Sequence, residues 1–93
     1  MFEKILDLLQ EAVEAGATIF TTHAQEEMNE DDLFPFDLEH CVLTGGIIER
    51  QWDGTYEDYK YLVEGESTDG EEMVVVVKLD AKGQIIFITT YRL

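Results

Sequence analysis

The strongest constraint on the fold of this chain is a change of hydrophobic period at Gly45-Gly46. Up to Thr44, apolar residues return every three or four positions, the spacing of a helix face. Beyond Gly46 they alternate or run together in β-branched stretches, which is the habit of strands. A helical half followed by a strand-rich half leaves few arrangements open, because each helix stripe and sheet face must be buried against another element.

In the first half, Phe2, Ile5, Leu6, Leu9, Ala12 and Val13 form one stripe with Glu3, Asp7, Gln10, Glu11 and Glu14 opposite. This predicts an amphipathic helix from Phe2 to Ala15, ended by Gly16. Thr22, with Gln25 three residues later, reads as a capping box opening a shorter helix to about Glu30. Ala24 and Met28 face the core in this reading, and His23 and Glu27 share the neighbouring stripe. Asn29 to Asp32 is an acidic loop, Pro35 opens a third helix, and Leu38, Cys41 and Val42 are its buried stripe. Gly45-Gly46 stops it.

Four strands are expected in the second half. Ile47 to Trp52 and Tyr56 to Glu64 flank an Asp53-Gly54 turn, with Tyr59, Tyr61 and Val63 alternating onto one face. Met73 to Leu79 and Gln84 to Tyr91 flank Asp80-Ala81-Lys82-Gly83, a hairpin turn with Gly in the left-handed position. The fold class is α+β, a single domain over residues 1–93, with three helices followed by a four-stranded antiparallel sheet. The last two strands are apolar on both faces, so covering them calls either for helices wrapped around the sheet or for a second subunit, hence a homodimer.

Charge narrows the partners. Twenty-one acidic residues against six basic ones give a net charge of −15, a field that repels phosphate and anionic lipid and favours a basic protein partner. Lys4, Arg50, Lys60, Lys78, Lys82 and Arg92 are scattered through the chain with no two adjacent, which argues against nucleic-acid binding. With 45% hydrophobic residues the chain nonetheless has a core to build. The charged N-terminus and short apolar runs predict neither signal peptide nor membrane span. The lone Cys41 agrees with a reducing compartment, and a soluble cytoplasmic protein is expected.

Few residues carry candidate chemistry. His23 is a candidate acid or base with Glu27 one helical turn on, although a histidine here also serves simply to hydrogen-bond near a helix start. Thr89, Thr90, Tyr91 and Arg92 bring two hydroxyls, a phenol and a cation to the end of the last strand, with Thr89 and Tyr91 on one face and Thr90 and Arg92 on the other. The acidic run from Glu26 to Asp32 lacks the ligand spacing and central Gly of a calcium loop. His23, His40 and Cys41 do not make a zinc set. No phosphate-cradling Gly loop or nucleophile motif is present, and no cofactor or metal is expected.

The order of short motifs resembles a bacterial family, the domain of unknown function 4258. These are Thr22-His23-Ala24, Met28, Leu43-Thr44-Gly45 leading into Ile47-Ile48-Glu49, Tyr61-Leu62-Val63, the valine run and Thr89-Thr90-Tyr91-Arg92, together spanning Thr21 to Arg92. The resemblance implies a RelE-like toxin fold, in a family whose members can sit beside zinc-ribbon antitoxin-like proteins, and a site at His23, Thr89, Tyr91 and Arg92. It also exposes a departure. Glu27 stands where that family usually has arginine before the methionine, and Glu26, Glu30, Asp31 and Asp32 replace basic neighbours. RNA cleavage needs cations on the scissile phosphate.

The expectation is therefore a non-catalytic or degenerate relative of RelE-like toxins that acts through protein association. A toxin-like ribonuclease is the alternative, with His23 as acid or base, Tyr91 in proton transfer or positioning and Arg92 on phosphate. A small cationic ligand bound by the aromatic residues around Tyr59 is the second alternative.

Overall fold

In the computed structural model, which describes residues 1–93, eight elements follow one another: α1 (Glu3–Glu14), β1 (Thr18–Phe20), α2 (Thr22–Glu30), α3 (Pro35–Thr44), β2 (Gly46–Asp53), β3 (Asp58–Glu66), β4 (Glu72–Leu79) and β5 (Ile85–Arg92). The sheet has five strands in the order β1-β5-β4-β3-β2. Strands β2 to β5 form the expected antiparallel meander, but β1 adds to β5 in parallel, Thr18 to Phe20 lying beside Ile85 to Phe87.

The expected four-stranded antiparallel sheet after three helices is thus corrected to a five-stranded mixed sheet, with one strand set between the first two helices. Three residues are too few to display a period. Their partner fixes them: Ile85 N–H donates to Ala17 O, Thr21 N–H donates to Phe87 O, and Phe20 stacks on Phe87 with ring centroids 4.7 Å apart. Short parallel pairing of this kind is visible only once β5 is in place.

Helix α1 ends where Gly16 takes φ +72°, a conformation costly for residues with a Cβ. The cap of α2 is shifted by one residue from expectation. Thr21, in extended backbone, accepts the Ala24 N–H at 3.1 Å, while Gln25 Nε2 donates to Phe20 O instead of closing a box with Thr22. The Thr21 hydroxyl also donates to Ile88 O at 2.9 Å. It therefore pins the start of α2 to the edge of β5 just where β1 runs out. At the β2–β3 tip the expected tight Asp53-Gly54 turn opens into a longer loop, with Glu57 at φ +50° and β3 beginning at Asp58.

The main core lies between the helices and one sheet face. Leu9, Ala24, Leu38, Cys41 and Val42 meet Val63, Val75, Val77, Ile85 and Phe87, all fully buried. Two glycines let α3 approach β3. A Cβ on Gly45 would lie 2.7 Å from Cys41 O, and one on Gly65 would lie 3.0 Å from the Gly45 Cα and overlap Cys41 O outright. Cys41 seats its thiol within 3.6–3.7 Å of the Val63 and Met73 carbonyls, and burial pushes its pKa up to about 12.

On the opposite face Leu62, Val74 and Val76 form a second, smaller cluster with Ile88 against it. Val74 is 1% exposed and Val76 7%. The chain itself covers these residues, so the doubly apolar run Met73 to Val77 is accommodated within a single copy.

Candidate functional site

A bulge in the β4–β5 pairing decides which way the end of β5 faces. Val77 pairs with Phe87 but Val76 with Thr89, leaving Ile88 as the extra residue. Beyond it, Thr89 lies opposite Val76 and Tyr91 opposite Val74, on the face away from the main core. Thr90 and Arg92 lie opposite Val75 and Met73, on the helix face. Thr90 is buried and donates to Val74 O. Tyr91 and Arg92 consequently leave the sheet on opposite sides.

Each of the three guanidinium nitrogens of Arg92 has a partner. Its Nε and Nη2 donate to the carbonyl oxygen of Asp31, the C-cap of α2, at 3.1 and 2.7 Å, and its Nη1 pairs with Glu71. A cation on the carbonyl end of a helix is favourable, and the planar, forked guanidinium suits two acceptors at once. These contacts tie the end of β5 to α2 and to the β3–β4 hairpin.

His23 stands exposed on α2 with Nε2 3.6 Å from Glu27 Oε1. No hydrogen bond or ion pair joins His23 to Tyr91 or Arg92. Around Tyr59, the face offered to a cationic ligand is taken by the chain's own Arg50, whose guanidinium carbon sits 4.1 Å from the ring centroid, with Trp52 edge-on to the same ring.

Asp37, expected only as a residue near the start of the third helix, proves to be a buried anchor. This carboxylate is buried at the first turn of α3, where it accepts the Phe34 N–H at 2.9 Å and both the N–H and hydroxyl of Thr68, at 3.0 and 2.6 Å. Burial alone would raise its pKa, but the hydrogen bonds from Thr68 and Phe34 and the nearby Arg92 charge outweigh it and hold the group below its ordinary value. The one available signal was its place three residues after Phe34, at the start of a Pro-opened helix. Beside it, Phe34 and Phe36 stack with centroids 5.3 Å apart and remain 56% and 54% exposed.

These features define a small α+β domain, helices on one face of a mixed sheet, in which Thr90 and Arg92 tie the end of β5 to neighbouring segments. Residues 20–92 match the family model described as Domain of unknown function (DUF4258), which covers most of the chain, and the chain belongs to that family. No curated protein and no solved structure matches it. No helix is long and apolar enough to cross a membrane.

Proposed function

We propose that this chain is a non-catalytic member of its family, a degenerate relative of RelE-like small toxins, which acts by associating with a basic protein. The observation that carries this reading is the engagement of Arg92. The only cation at the end of β5 is held by Asp31 O and Glu71, and the histidine proposed as acid or base has Glu27 beside it. A phosphodiester brought there would meet carboxylates and an already neutralised guanidinium, the reverse of what its charged transition state needs. The net charge of −15 adds long-range repulsion of RNA and attraction of a basic surface.

The rival ribonuclease reading needs His23, Tyr91 and Arg92 to reach one scissile group at about hydrogen-bond distance. Two of these side chains depart from opposite faces of β5. Incubating the purified chain with labelled RNA at low salt, alongside a pull-down from its native cytoplasm, separates the two. We expect intact RNA and recovery of a basic protein that is released as salt is raised. RNA cleavage abolished by His23→Ala would overturn the association reading, and an empty pull-down at low salt would count equally against it.

A further inference from the structure

We propose that the exposed Phe34–Phe36 stack is the docking surface for that partner and receives an arginine-bearing segment of it; the inference rests on the association reading above. Of the chain's five phenylalanines these two alone are exposed. Their position is not explained by the helix they begin. Phe34 occupies the N-cap of α3, a place where Ser, Thr, Asp or Asn would supply a side-chain acceptor and where an aromatic ring supplies none. Asp37 compensates only in part, by accepting the Phe34 N–H. The stacked rings, 8° from parallel, present an exposed apolar surface of the kind that anchors protein interfaces.

Charge complementarity identifies the occupant. Glu30, Asp31 and Asp32 precede the stack with only the buried Leu33 between. The Thr68–Asp37 hydrogen bonds and the Arg92–Glu71 pair bring the β3–β4 hairpin, with Asp69, Glu71 and Glu72, to the same corner. Arg92, the cation that reaches into it, is spent on Asp31 and Glu71. A second copy of this chain, carrying the same −15, would be repelled, and so would a phosphate-bearing surface. A guanidinium fits best, because its flat face stacks on an aromatic ring while its edge donates in a fork to carboxylates, which an ammonium group cannot do as well.

The test uses labelled oligoarginine and oligolysine peptides of equal length, added to the full chain at low salt and followed by fluorescence anisotropy and backbone amide shifts. Oligoarginine should bind about fivefold more tightly than oligolysine, with amide shifts concentrated on residues 30–37 and 67–72. The double variant Phe34→Ser with Phe36→Ser should weaken oligoarginine binding by about fivefold or more. Because Ser is a favoured N-cap residue, this variant keeps its fold, as its thermal midpoint will report. A second variant, Asp32→Asn with Asp69→Asn, should also weaken binding and flatten its salt dependence. Unchanged affinity in the Phe variant, or shifts spread evenly over the acidic surface, overturns the docking site and leaves the association reading standing. If neither peptide binds at low salt, both fall. Self-association in sedimentation that the Phe variant abolishes would assign the surface to a second copy and overturn the proposal.

Discussion

Arg92, the last residue of β5, donates twice to the carbonyl oxygen of Asp31, 61 positions earlier, and thereby closes the C-terminal end of α2 against the sheet. With its remaining nitrogen on Glu71, the side chain joins three segments that sequence separation keeps far apart. Replacing Arg92 with Ala should lower stability by about 1–2 kcal/mol, the range for charge-assisted hydrogen bonds at a partly exposed site. Arg92→Lys should recover little of it, since an ammonium has no fork to span two acceptors. Urea midpoints for the three proteins check this, and a fully stable Arg92→Ala variant would show that the arginine is free for another task.

Thr21 and Thr22 offer a comparison between adjacent, chemically identical residues. Thr21 accepts from Ala24 N–H and donates to Ile88 O, whereas Thr22 makes no side-chain hydrogen bond. Thr21→Val should therefore cost about 1–2 kcal/mol through the lost cap and an unpaired Ile88 carbonyl. Thr22→Val should cost less than about 0.5 kcal/mol, as for an ordinary surface change. Equal losses in thermal unfolding would mean that α2 is capped otherwise in solution.

The same pair shows where the sequence stops being legible. Period alone revealed α1, α3 and the four long strands, because each repeats its signal over eight or more residues. It could not reveal β1, whose three residues become a strand only beside Ile85 to Phe87. Missing β1 moved the cap of α2, since the extended backbone of Thr21 continues that strand and its N–H still bonds to Phe87 O. The His23–Glu27 pair was readable because one helical turn separates its members. The commitment of Arg92 and the burial of Asp37 were not, because their partners Asp31, Glu71 and Thr68 come from other segments of the chain.

Gly65 permits a close approach of α3 to the sheet. A methyl group there would overlap the Cys41 carbonyl and crowd the Gly45 Cα, both backbone atoms that no rotamer change can move. Gly65→Ala should destabilise by about 3 kcal/mol, the upper range for overpacking a rigid site. Gly46 is the control, since a Cβ built on it meets nothing within 4 Å and its φ is not in the left-handed region. Gly46→Ala should change the thermal midpoint little. A tolerant Gly65→Ala would mean that α3 slides on β3 more easily than its packing implies.

Asp37 gives the fold an acid-sensitive joint whose direction follows from its pKa. Despite burial, hydrogen bonds from Thr68 and Phe34 hold the carboxyl's pKa below its ordinary value in the folded chain, so folding favours the ionised form. That stabilisation is fully present above the unfolded value and is lost as pH falls through the folded one. Asp37→Asn, which keeps the shape but not the charge, should cost about 2 kcal/mol at neutral pH, since the Thr68 and Phe34 donors lose an anionic acceptor. The deficit relative to wild type should shrink in acid as the native carboxyl is protonated. Taking the difference between the two proteins matters here. Neutralising the other carboxylates of a chain with 21 acidic residues relieves general repulsion and shifts both curves together. Urea midpoints measured for both from neutral to acid pH decide the point. A deficit that stays constant with pH would mean that Asp37 acts by shape and hydrogen-bond count, and that its charge does not hold the corner where α3, Thr68 and Arg92 meet.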